Sequence, residues 1–246
     1  FSAKSWRVDR RCYCRIQMNY EFHDPHMCGV LDTKLEGDNL ELTWDLIKKY
    51  SPKSAVWSGN DLISIDTEDK QWFLTDTDNK WENAILRPAV AKYADRWGLP
   101  CSTITSHYHG LNFTRFWCRA STAGDFHSLH HHQAVLSFVV WMNIPFNSRI
   151  EQNLQPGFRP NAGTFGLYYT DSIGRVQEML WHVSKECNGQ MIMFPSAWKH
   201  AVYPHFSTDE YRIAIAGDVC INSHDVYDPI HEWADPSEER EINENV

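Results

Sequence analysis

Between Ala134 and Met142 the chain runs Ala-Val-Leu-Ser-Phe-Val-Val-Trp-Met, nine residues of which only Ser137 is polar. A run this short, rich in β-branched and aromatic residues, predicts a strand buried on both faces, so the fold must supply packing layers on both sides of a sheet. Shorter strand signals surround it. Asn112 to Arg119 is aromatic-rich, Thr164 to Thr170 carries adjacent tyrosines, Met191 to Phe194 follows an Asn188-Gly189 turn, and Arg212 to Ala216 is apolar after its arginine.

Helical signals gather before residue 100. Thr43 is predicted to cap a short helix, Trp44 to Tyr50, stopped by Ser51-Pro52. A second helix is predicted from Trp81 to Trp97, where Trp81, Ile85, Ala89, Tyr93 and Trp97 recur every four residues before Gly98. Pro88 inside that pattern predicts a kink or a later start. Helices first and strands after suggest an α+β, mostly β domain built around a sandwich or barrel. The reading is one domain over 1–246: N-terminal support over 1–110, a core over 111–220 and an acidic tail over 221–246.

Composition excludes some functions. With 42% hydrophobic residues the chain has the means to bury a core, and its formal net charge of −9 argues against a nucleic-acid partner. Arg7, Arg10, Arg11 and Arg15 form the one dense basic cluster and read as solvated surface. No apolar run approaches the roughly 18–20 residues of a membrane helix, so no membrane partner is expected. The seven cysteines show no paired metal spacing (Cys12 and Cys14 stand alone) and read as reduced thiols of a cytoplasmic protein.

Chemistry concentrates just before the apolar strand. His127, His130, His131 and His132 fall within six residues. On a strand, residues i and i+2 share a side, so His130 and His132 can chelate one metal while His131 and Gln133 face away. Imidazole suits Fe, Zn, Cu or Ni, and a surface histidine cluster is the competing reading. Downstream, a tight turn leads through Gln190-Met191-Ile192-Met193-Phe194-Pro195-Ser196 to His200, and Arg212 then leads an apolar strand. A cation there needs an anionic partner, either a structural Asp or Glu or the carboxylate of a ligand.

Residues 112–217, taken together, resemble the Fe(II)/2-oxoglutarate-dependent oxygenase superfamily, in particular prolyl-hydroxylase-like members of marine phages and bacteria. The resemblance is carried by Gly124-Asp125-Phe126-His127-Ser128-Leu129-His130-His131-His132, by Leu136 to Trp141, by Ala162 to Asp171, by Phe194-Pro195-Ser196 with His200 to Pro204, and by Tyr211 to Gly217. It implies a double-stranded β-helix (jelly-roll, cupin-like) buttressed by the N-terminal helices, with loop 146–163 over the substrate. It implies Fe(II) and 2-oxoglutarate as cofactors, O2 and a prolyl or small-molecule substrate as partners, and a bacterial host cytoplasm. His130 and His200 would ligate iron, and Arg212 would bind the remote carboxylate of 2-oxoglutarate. His132 stands where the family usually has Asp or Glu, so a three-histidine site is expected. Ala214 stands where the family often has a serine that contacts 2-oxoglutarate.

Two other classes remain open on the residues alone. One is a cupin-like three-histidine metal protein that does not use 2-oxoglutarate; it has no need of Arg212. The other is a non-catalytic virion or binding protein that keeps the barrel. His23, His26, Cys28, His107, His109, His182, His205 and His224 receive no role. Tyr168 and Tyr169 straddle two faces of a strand, with core packing as their expected use.

Overall fold

In a computed structural model that describes residues 28–99, 111–154 and 160–221, the apolar run is a strand with both faces covered. The N-terminal part supplies β1 (Leu31–Lys34), α1 (Asp38–Tyr50), the hairpin β2 (Val56–Ser58) and β3 (Asp61–Ser64), β4 (Gln71–Phe73) and α2 (Arg87–Trp97). Then come β5 (Leu111–Ser121), β6 (His127–His130), β7 (Leu136–Asn143) and the short α3 (Ser148–Leu154). The remainder is β8 (Phe165–Thr170), β9 (Val176–Trp181), β10 (Gln190–Pro195), β11 (Lys199–Val202) and β12 (Arg212–Ile221).

From β5 onward the chain winds between two antiparallel sheets. β5, β7, β10 and β12 lie in a sheet ordered β1-β10-β7-β12-β5-β4, while β6, β8, β9 and β11 form a sheet ordered β6-β11-β8-β9. Only the β8–β9 step stays within one sheet. This winding is a double-stranded β-helix, as the sequence resemblance implies. β1 and β4 extend the larger sheet at its two edges, pairing with β10 and β5. None of the described helices is long and apolar enough to cross a membrane.

Strand alternation separates two cores. Leu136, Phe138, Val140 and Met142 of β7 face outward and pack with Trp44, Ile47, Trp81, Ile85, Leu86 and Tyr93 of the helical layer. Val139 and Trp141 face the space between the sheets, among Phe165, Leu167, Ile192 and Phe194. The Trp81 ring stacks on Phe116 at 5.0 Å, and its indole N–H donates to Thr43 Oγ1 at 2.9 Å. On β12, Ile213 and Ile215 belong to the outer core, whereas Ala214 and Ala216 pack on the inner one. Arg212 and Asp218 share that inner parity.

The first helix starts earlier than expected, and the second has the later regular start that Pro88 predicts. α1 begins at Asp38 rather than Trp44, because Gly37-Asp38-Asn39 opens its first turn, where Asp38 and Glu41 favour the positive end of the helix dipole. Thr43 is therefore inside the helix, its hydroxyl donating to Asn39 O at 2.7 Å, and caps nothing. In the second helix, residues Glu82–Leu86 form a π-helical turn and the regular helix starts at Arg87. Pro88 thus falls in a first turn, where a missing N–H costs no hydrogen bond.

Gly217 is a packing position. A Cβ there would lie 2.5 Å from Phe116 Cβ and 2.6 Å from the tip of Phe138. Its substitution by alanine is expected to destabilise the fold by about 1–3 kcal/mol through overpacking. A urea-unfolding midpoint matching that of the parent protein would contradict this account.

Candidate metal centre

His130 and His200 are register partners across the β6–β11 pair, which brings their tilted rings to 4.2 Å between centroids. His132 arrives differently. β6 ends at His130, so His132 lies past the strand rather than on it, and the i, i+2 argument fails there although the pair still converges. The His132 backbone N–H donates to Ser196 O at 3.1 Å, which fixes its position. Its ring centroid lies 5.2 Å from that of His130 and 5.0 Å from that of His200. One ring nitrogen from each of the three lies within 4.8 Å of the others. His131 and Gln133 are exposed, as residues facing away should be.

Each of the three rings has a protein acceptor at Nδ1. Ser128 O lies 2.6 Å from His130 Nδ1, Asp218 Oδ1 lies 2.6 Å from His132 Nδ1, and Trp198 O makes a longer 3.4 Å contact with His200 Nδ1. A carbonyl or carboxylate oxygen accepts, so this assigns the ring hydrogen to Nδ1 and leaves the Nε2 lone pair as the ligand atom. His200, only 5% exposed, has its pKa pushed down to about 3 by burial, with His130 and His132 adding to the effect. It is therefore neutral near pH 7, the form that binds a metal. Three convergent imidazoles fit a divalent transition metal. Apolar rings wall the site: Phe194 and Phe165 lie 5.3 and 5.8 Å from His200, and Trp117 lies 5.8 Å from His132.

Arg212 is buried in the same interior. Its Nη1 donates to Tyr203 O at 3.0 Å, and no described carboxylate lies within ion-pair distance of it. The structural Asp or Glu partner is thus absent among the described residues. Burial first, and then the nearby Arg119 charge, push the Arg212 pKa down to about 10. Arg119 sits opposite Ala214 on β5, donates to Gln71 Oε1 at 3.2 Å, and leaves its buried Nε without a partner. Asp125 is committed to Lys70 at 3.2 Å and to the Thr122 backbone N–H at 2.9 Å, so it is no spare ligand. Two guanidinium groups therefore lie near each other with no described carboxylate in ion-pair contact with either, a setting that attracts an anion.

Asp218, Arg119 and Trp117 escaped the sequence reading. Parity was the available signal: Asp218 lies six residues after Arg212 on one strand face. Tyr168 bonds outward to Tyr203 and Glu178, while Tyr169 stacks on Trp198 at 4.7 Å. Part of loop 146–163 is the helix α3, pinned by Glu151 accepting from Phe206 N (2.9 Å) and Ser207 N (3.1 Å). Residues 155–159, the basic cluster at 7–15, Cys12, Cys14, His23, His26, His107, His109, His224 and the acidic tail from 222 lie outside the described residues.

Residues 115–218 match the sequence family described as "Putative 2OG-Fe(II) oxygenase". This segment resembles a 2OG-Fe(II) oxygenase core. It spans a little under half of the chain and contains His130, His132, His200 and Arg212. The oxygenase family implies Fe(II) and 2-oxoglutarate as cofactors, with O2 and an oxidisable substrate as partners. No curated protein matches the sequence. Among solved structures the chain is similar to a 2OG-Fe(II) oxygenase family oxidoreductase from Burkholderia pseudomallei, with 13% identity and TM-score 0.48 over 79% of this chain and 86% of that one. It is also similar to a prolyl-4-hydroxylase of Pseudomonas putida, with 15% identity and TM-score 0.43 over 79% and 89%. A third similar structure is a prolyl hydroxylase of Trichoplax adhaerens bound to a hypoxia inducible factor peptide fragment, with 14% identity and TM-score 0.41 over 78% and 84%.

Proposed function

We propose that His130, His132 and His200 hold Fe(II) and that Arg212 binds the distal carboxylate of 2-oxoglutarate, in an enzyme that hydroxylates a prolyl residue or a small molecule. The observation that carries this reading is the buried Arg212 guanidinium, held by Tyr203 O with no described carboxylate within ion-pair distance, on the same strand face as Asp218. When bound, the iron and 2-oxoglutarate supply an oxidation in which a substrate C–H becomes C–OH while O2 and 2-oxoglutarate give succinate and CO2.

The chain's own residues supply position and shelter. Arg212 anchors one end of the five-carbon diacid, so the other end is directed toward the histidines. The serine hydroxyl that Ala214 lacks is compensated by Arg119, which is its register partner across the strand pair. Trp117, Phe165 and Phe194 limit water around the histidines, which strengthens electrostatic contacts inside. The whole chain is read as one unit, 1–110 supporting a core over 111–220 and an acidic tail at 221–246. It would act in the cytoplasm on a soluble peptide or small molecule, with neither nucleic acid nor membrane as partner.

The test is an anaerobic titration of the Fe(II)-loaded protein with 2-oxoglutarate, followed by visible absorption. A saturable metal-to-ligand charge-transfer band is expected. Bound iron without that band would replace this reading with a three-histidine metal protein that does not use 2-oxoglutarate. A protein that binds no iron would be a barrel without this chemistry.

A further inference from the structure

The oxygenase family usually places Asp or Glu where this chain has His132, yet a carboxylate stands directly behind that histidine. Asp218 is 1% exposed on β12, and its Oδ1 lies 2.6 Å from His132 Nδ1. The same oxygen accepts from Ser137 Oγ at 2.8 Å, and Ser137 is the register partner of Asp218 on β7. Ser137 Oγ lies 2.9 Å from Ser196 Oγ, and Ser196 O in turn accepts from the His132 backbone N–H. Among the described residues His132 is the only ion-pair partner of Asp218. Arg115 is the register partner of Asp218 on β5 but is exposed and forms no ion pair with it, and a buried carboxylate without a Lys or Arg in contact is costly unless another positive centre offsets it.

We propose that Asp218 is a positioning residue that passes negative charge to the metal through His132, in place of the carboxylate that usually coordinates directly. This rests on the reading that the three histidines hold the iron. Two physical effects follow from the contact. The carboxylate accepts the Nδ1 hydrogen, which fixes Nε2 as the metal-facing atom and holds the ring plane. It also makes the imidazole a stronger donor, offsetting the extra positive charge that three neutral ligands leave on the metal. The carboxylate has moved outward by one ring, and the site keeps its overall charge balance.

The test uses Co(II), whose visible bands report the ligand field, with affinity read by competition against a chromogenic chelator. Asp218→Asn keeps size and an acceptor oxygen while removing the charge. It is expected to weaken Co(II) binding about 10- to 100-fold and to shift the Co(II) bands. In a His132→Ala background, whose two remaining histidines give a weaker Co(II) site still measurable by equilibrium competition at high Co(II), the same substitution should change affinity less than about twofold, because Asp218 then has nothing to act through. Asp218→Ser provides the same comparison if Asp218→Asn does not fold. Affinity within about twofold of the parent, or an equal loss in the His132→Ala background, overturns the proposal. A parent protein that binds no Co(II) overturns the histidine reading too, whereas tight parent binding with an unchanged Asp218→Asn overturns the Asp218 role alone.

Discussion

Arg212→Ala is expected to weaken 2-oxoglutarate binding by roughly 30-fold to more than 1,000-fold while Fe(II) stays bound. Truncating one member of a buried, hydrogen-bonded charge pair costs about 2–5 kcal/mol, which is the origin of that range. Arg212 is 4% exposed and is held by Tyr203 O, so the guanidinium is already oriented before any ligand arrives. Arg119 cannot take over, because it lies across the strand pair at Ala214 and is tied to Gln71. Arg212→Lys should recover only part of the loss, since an ammonium keeps charge but not the planar fork. The measurement is the midpoint of the anaerobic 2-oxoglutarate titration. An unchanged midpoint in Arg212→Ala would remove this residue from the cosubstrate site.

His200→Ala is expected to abolish Fe(II) retention after gel filtration against a chelator, measured as metal content. His200 is the most buried of the three, enclosed by Phe165 and Phe194, so no exposed residue can reach its position. Two histidines would remain, and the nearest carboxylate, Asp218, is turned to Nδ1 of His132. The apo variant should still fold, because the lost ring gives up one long 3.4 Å hydrogen bond to Trp198 O and packing at the cavity wall. Folded protein that retains a full equivalent of iron would exclude His200 as a ligand.

The oxygenase match and the histidine geometry bear on different parts of the same conclusion. The match covers 115–218 and names the chemistry. The geometry supports a set of ligand atoms, and the Arg212 and His200 variants test them one at a time.

What the sequence determined by itself was local and periodic. The nine-residue apolar run fixed a strand buried on both faces, because no other element that short buries so many β-branched and aromatic residues. Four-residue spacing fixed the helix before Gly98, and the turn at Asn188-Gly189 fixed the start of β10. The His-x-His step and the later His and Arg were legible as residue types, and their joint order carried the family resemblance. Tertiary structure decided everything that depends on partners far along the chain. His130 meets His200 through strand register, and Asp218 meets His132 across 86 residues. That no described carboxylate contacts Arg212, and that Arg119 stands opposite Ala214, also follow from which strands lie side by side. Periodicity tells a residue which face it occupies. Only the pairing of distant strands tells it what stands opposite.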